Sequence, residues 1–136
     1  MRAYGALERL PDHECRRLMR LVSFGRIVYT RRARPAVDVV NFALDGDDIV
    51  IRTDVGGKLA AATRMAVVAF EVDDIDAVRH CGWSVTAVGH SREVTDPREA
   101  ARLREIGLRP WAPGDREHFI KITPGILNGR WLTVHS

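Results

Sequence analysis

Apolar positions repeat with two periods along the chain, and the change from one to the other marks the elements. Asp12 is placed to cap a helix running to about Ser23, because Cys15, Leu18, Met19 and Val22 recur at helical spacing and Gly25 follows as a stop. From Arg26 the residues become β-formers. Ile27, Val28 and Tyr29 make one run, Ala36 to Leu44 a second, and Arg34-Pro35 lies between them, which predicts a hairpin with a basic tip. Asp45-Gly46-Asp47-Asp48 reads as a turn and Ile49 to Thr53 as the next strand, completing a three-strand meander. A glycine loop, Asp54-Val55-Gly56-Gly57-Lys58, then opens into a short helix at Leu59-Ala60-Ala61-Ala62.

The second half continues in the same style. Ala66 to Val72 is an apolar strand, and Asp73, Asp74 and Asp76 are expected in an acidic turn region. Trp83 to Val94 is a long strand with Gly89 as the site of a bulge or bend. Asp96-Pro97-Arg98-Glu99 has the composition of a helix start, with Asp96 as cap and Pro97 at the first helical position, and Gly107 ends that helix. Leu108 to Glu117 reads as a loop, and Phe119 to Ile122 and Arg130 to Val134 as two final short strands. About seven short strands with few helices predict a mainly β protein, a closed or nearly closed antiparallel barrel.

At 136 residues the chain, 1–136, is expected to form a single domain. With 46% hydrophobic and 29% charged residues and no apolar run near 18 residues, it is expected to be no membrane protein. Arg2, Glu8 and Arg9 interrupt the N-terminus where a signal peptide would be apolar, so a cytoplasmic location is expected. Cys15 and Cys81 belong to no paired ligand pattern, which argues against a disulfide framework or a zinc site, and Cys15 is expected in the core. The net charge of +3 invites a nucleic-acid reading. Yet of the 21 basic residues all but Lys58 and Lys121 are Arg, the mark of a composition bias, and basic and aromatic residues are not interleaved along any strand. No nucleic-acid partner is expected.

Candidate chemistry is sparse. Gly56-Gly57-Lys58 before a helix can present backbone amides and an ammonium group to a phosphate, or it can be a plain turn. A Lys in an Arg-dominated chain suggests a position that needs a point charge. Arg52 and Thr53 end the preceding strand and can converge on the same phosphate, although Arg52 could equally be a solvated edge residue. Asn41 interrupts an apolar strand, as an outward residue, a satisfied core amide, or a group facing a polar heterocycle. Trp83 and Ser84 open the long strand side by side, with Trp83 in the core, at a dimer interface or at a ligand. Trp111, in a Pro-flanked loop, is placed to lie over a ligand. Glu71 and Asp73 share one face of a strand and are expected to meet an Arg rather than to perform acid and base work. Neither a metal-binding histidine pair nor a Ser, His and Asp arrangement stands out.

Taken in order, the capped helix, Gly25-Arg26, Val39-Val40-Asn41-Phe42, Arg52-Thr53, Gly56-Gly57-Lys58, Phe70-Glu71-Val72-Asp73, Gly82-Trp83-Ser84-Val85 and Gly89 resemble the pyridoxamine 5′-phosphate oxidase-like family, the flavin-binding split barrels. The resemblance extends from about Leu7 to Leu132. It implies a six- to seven-stranded antiparallel split β-barrel with short flanking helices, and a homodimer holding flavin mononucleotide (FMN) at the subunit interface. Val39, Val40 and Asn41 would lie along the isoalloxazine ring, Thr53 and Lys58 would hold the 5′-phosphate with Arg52 nearby, Ser84 would stand near the flavin, and Trp83 would pack beside it or across the dimer. The implied function is FMN-dependent oxidoreduction of a small molecule. Gly57 stands where relatives often place Arg, which leaves a deazaflavin-dependent reductase as an alternative; a non-catalytic flavin- or haem-binding protein is another. The Arg- and His-bearing C-terminal region of authentic pyridoxamine phosphate oxidases is not found, so vitamin B6 oxidation is not expected.

Overall fold

The computed structural model describes residues 8–53, 58–108 and 118–132. In chain order the elements are β1 (Glu8–Leu10), α1 (Asp12–Met19), β2 (Phe24–Arg31), β3 (Arg34–Asp45), β4 (Asp48–Thr53), α2 (Lys58–Thr63), β5 (Val67–Asp76), β6 (Cys81–Glu93), α3 (Pro97–Arg104) and β7 (His118–Leu132). All strand pairings are antiparallel. The sheet order is β1-β7-β4-β3-β2-β5-β6, and pairing of β6 with β7 closes it into a ring. Strand β1 lies outside the ring, on the edge that β7 leaves free once it has parted from β4. The expected mainly β barrel is therefore what the chain forms.

Among the described residues the ring opens between β3 and β4. The β3–β4 ladder runs from Asp45↔Asp48 to Phe42↔Ile51 and ends there, although β3 continues to Arg34 and β4 to Thr53. Beyond that point β3 pairs with β2, and β4 pairs with β7 through Thr53↔His118. The wall splits between them.

Strand alternation sends one side chain in two to the interior, where Ile27, Phe42, Ile49, Ile51, Phe70, Val72, Val85, Ala87, Ile120 and Ile122 form the main core with Cys15, Leu18 and Met19 of α1. Helix α1 fits against β7 at Gly129, where a Cβ would stand 2.5 Å from Cys15 Sγ. A smaller core of Val50, Val94, Leu103 and Phe119 lies on the outside of the barrel under α3. Among the described residues no helix is long and apolar enough to cross a membrane.

Several boundaries differ from the expectations. Helix α1 ends at Met19 rather than near Ser23, and its N-cap is Pro11, with Asp12 already inside the first turn. Asp73, Asp74 and Asp76 are not a turn: β5 continues through Asp76 because β6 pairs with it as far as Asp76↔Cys81. The two short C-terminal strands are one 15-residue strand, since β6 pairs with β7 from Ile120 to Leu132 and carries it past Pro124-Gly125. The irregularity falls where it was expected, between Val88 and Gly89. There Thr123 O approaches to 2.0 Å from where a Cβ would be, space that only glycine leaves. Asp96 caps α3 by accepting from the Arg98 backbone N–H at 3.0 Å, as expected. The basic hairpin tip is also present, with Arg32 and Ala33 both at positive φ, 52° and 62°, which matches a two-residue turn to the strand twist.

Candidate functional site

Alternation divides the sequence-predicted site residues between the two faces of the sheet. Val39, Asn41, Arg52 and Ser84 lie on the outer face, whereas Val40, Thr53 and Trp83 are buried on the inner side. Trp83 belongs to the main core. Lys58 is the first residue of α2. The glycine loop before it and Trp111 lie outside the described residues.

Two of the expected groups meet at the split. Val39, Val40 and Asn41 form the β3 lip, and Arg52 and Thr53 form the β4 lip, with α2 starting nearby in the chain. The Arg52 guanidinium is already engaged. Its Nη1 donates to Leu108 O at 3.0 Å and its Cζ lies 5.7 Å from the centre of the Phe119 ring. Arg52 is thus a fixed positive charge at the lip rather than a solvated edge residue.

Ser84 is elsewhere. Strands β2 and β5 separate β3 from β6 in the sheet order, so at ~4.8 Å per strand Ser84 lies roughly 14 Å along the sheet from Asn41. Ser84 belongs instead to a shallow groove of about 290 Å³ on the outer face, lined by Ser84, Thr86, Val88, Ile126, Asn128 and Arg130. These six are three cross-strand pairs, Ser84↔Arg130, Thr86↔Asn128 and Val88↔Ile126.

Between the split and the groove lies a charged cluster. Arg26 Nη1 stands 3.2 Å from Glu71 Oε1 and 3.2 Å from Asp73 Oδ2, so the two carboxylates do meet an Arg. Burial pushes the Glu71 carboxyl up to about 7, helped by its hydrogen bond with Asp73 and the charge of Asp73, against the pull of Arg26. Around this cluster the outer face is unusually apolar: Phe24, Val37, Val39, Val67 and Ile126 are all exposed. Such a patch on a barrel wall suits a second surface better than water does.

A family model described as pyridoxamine 5′-phosphate oxidase matches residues 11–131. The chain belongs to the pyridoxamine 5′-phosphate oxidase family. Among proteins of this kind, the uncharacterized protein Rv0080 of Mycobacterium tuberculosis is 37% identical over 132 residues, covering 93% of this chain and 86% of that one. A crystal structure from Corynebacterium glutamicum, provisionally named a pyridoxamine 5′-phosphate oxidase, superposes with a TM-score of 0.84 at 29% identity, covering 95% of this chain and 100% of that one. The structure of an FAD-binding protein from Mycobacterium smegmatis superposes with a TM-score of 0.79 at 29% identity, covering 95% of this chain and 99% of that one.

Within the family fold, the residues that the sequence singles out on β3 and β4 lie on the split lips, while the groove shares only Ser84 with them. Thr86, Asn128 and Arg130 carry no motif, and only the β6–β7 register brings them together. Period-two alternation from Ser84 was the one signal that could have found Thr86.

Proposed function

We propose that the protein is a flavin-dependent oxidoreductase acting on a small molecule as a homodimer, with each flavin held between the split of one subunit and the outer face of the other. The observation that carries this reading is the coincidence of the β3–β4 split with the segment from Ala36 to Lys58, where the family resemblance implies a flavin wall and a phosphate contact. The donor set suits such a group: an amide at Asn41, a guanidinium at Arg52 and a hydroxyl at Thr53 lie on or beside lips formed by extended backbone. The flavin itself supplies hydride acceptance and donation, so the residues of the chain need only bind and orient it, consistent with the absence of a catalytic triad from the sequence reading.

Dimerisation is supported by the apolar outer face, and by the distance along the sheet between Ser84 and Asn41, which a two-subunit site would bridge. The FAD-binding relative from M. smegmatis supports a flavin in general, and the resemblance in the sequence favours FMN. A deazaflavin is the second reading, favoured by Gly57 in place of an Arg before Lys58. Titration of the purified protein with FMN, FAD and a deazaflavin, followed by fluorescence, tests all three. A yellow protein, or one that turns yellow and binds FMN or FAD at micromolar concentration, supports the proposal; binding of none of the three overturns it.

A further inference from the structure

We propose that pairing of two copies of this chain takes up protons at Glu71, so that the two-subunit site assembles more tightly as pH falls from 8 to 6. The inference rests on the homodimer of the proposed function and names what regulates it. Its basis is the register of the outer face. Val37, Val28, Ala69, Val88 and Ile126 are successive cross-strand partners on β3, β2, β5, β6 and β7, and none of the five is buried. At ~4.8 Å per strand they form an apolar row roughly 19 Å long.

The next row is built differently. It runs Val39, Arg26, Glu71, Thr86 and Asn128, and so sets a guanidinium and a carboxylate between neutral neighbours. Asp73, two residues along β5, brings a second carboxylate to the same Arg26 Nη1 at 3.2 Å. With Glu71 ionised the cluster is two acids on one cation and carries one net negative charge. With a proton on Glu71 it is neutral, and the carboxyl can donate to Asp73.

A two-fold dimer joins the same patch of both subunits, so its apolar contact encloses two such clusters. An unbalanced charge taken out of water is costly, and the neutral form is favoured. The single chain already leans this way. Burial, with the hydrogen bond to Asp73 and its charge, pushes the Glu71 carboxyl up to about 7 against the pull of Arg26. The Glu71 side chain is still 28% exposed, and a second subunit that removes this water raises it further. Near neutrality the dimer then holds more protons than two separate chains. By linkage, self-association tightens as pH falls and weakens as it rises.

Among the described residues, the charged groups nearest Glu71 on this face are Arg26 on β2 and Asp73 on β5. On β3 the row ends in Val39; on β6 it meets Thr86, with His90 two rows further along; Arg130 on β7 and its partner Arg9 on β1 stand one row away. A histidine can change charge in the same range, so His90 is tested separately.

Fluorescence-detected sedimentation of the whole chain, without flavin and with saturating FMN, is run at pH 6 and pH 8 from nanomolar to millimolar protein. The wild-type dissociation constant should be at least tenfold lower at pH 6, and the same ratio should hold in His90→Gln. Glu71→Gln, with a neutral amide in place of the carboxyl, should pair several-fold more tightly than the wild type at pH 8 and change less than twofold between the two conditions. A wild-type dimer indifferent to pH, or a pH dependence that survives in Glu71→Gln, overturns this inference and leaves the homodimer standing. A chain that stays monomeric throughout overturns both. If no flavin binds, the flavin reading alone fails, because the arm without flavin still reads the linkage.

Discussion

The ammonium of Lys121, with only 5% of its side chain exposed, lies 2.7 Å from Asp45 Oδ2 and ties the end of β3 to the first part of β7. Glu99 of α3 accepts from the same nitrogen at 2.9 Å. Burial pulls the Lys121 ammonium toward neutrality, and the hydrogen bonds to Asp45 and Glu99 outweigh it, so its pKa is raised. Each carboxylate also holds an Arg in a forked pair, Arg102 on Asp45 and Arg92 on Glu99. Lys121→Met should therefore cost about 2–4 kcal/mol, slightly less than breaking a fully isolated buried pair, because both acids keep one cation. Urea unfolding of the variant measures this; a loss below about 1 kcal/mol would mean that the lysine is dispensable to the fold.

The same network predicts acid lability. Arg92, and then Lys121, hold the Glu99 carboxyl down at about 2, and Arg102, with Lys121, holds Asp45 well below the usual carboxylate range. Depressed folded-state values give stability that is present above the ordinary carboxylate pKa near 4 and lost as pH falls through the folded values. Unfolding midpoints measured from pH 5 down to pH 2 should fall steeply in the wild type and less in Lys121→Met.

Close approach of α1 to β7 gives a second packing test. Gly129→Ala would put a methyl group 2.5 Å from Cys15 Sγ and must displace the helix, at a cost of about 1–3 kcal/mol. Cys15→Ala in the same chain should recover much of that loss, a coupling read from a double-mutant cycle. Additive losses would show that α1 shifts freely.

Local chemistry made much of the fold legible. Asp96-Pro97 carries its own helix start, Gly89 marks the one place where β7 backbone comes too close for a side chain, and Glu71 and Asp73 share a face because strands alternate. What the sequence concealed depends on partners distant in the chain. Pro124-Gly125 reads as a break, yet twelve residues of β6 hold β7 in one strand across it. Strand β1 is three residues with no alternation to detect, and exists because β7 offers an edge. Lys121 was conspicuous as one of two lysines, but its three acidic neighbours come from β3, β4 and α3. For the candidate site, motifs drew notice to residues 36 to 58, but the opening between β3 and β4 and the groove on β6 and β7 both depend on strand register, the latter between strands some 40 residues apart.

Glu71 should oppose stability at alkaline pH. Its folded-state value of about 7 lies above the ordinary value of 4.5, so the folded protein binds more protons than the unfolded chain between those limits and loses stability as pH rises through them. Glu71→Gln keeps the shape of the protonated carboxyl and removes this loss. It should be more stable than the wild type by about 1–2 kcal/mol at pH 8, a figure reduced for partial solvent exposure, and nearly equal to it at pH 5. Thermal melts at both values check this, and equal stability at pH 8 would show that the cluster ionises without penalty.

The shared-site proposal makes its sharpest prediction at Val37, which is 58% exposed on the outer face and contributes nothing to the barrel core. Val37→Asp should leave the unfolding midpoint within about 0.5 kcal/mol of the wild type, as surface substitutions do. Placing an unpaired carboxylate in an apolar contact between subunits should weaken self-association at least tenfold. If each flavin rests on both subunits, sedimentation and flavin titration will change together: the variant becomes monomeric at concentrations where the wild type is dimeric, and its flavin affinity falls in parallel. A monomeric variant that binds flavin as tightly as the wild type would place the whole site within one chain, at the β3–β4 split, and would leave the apolar face to some other contact.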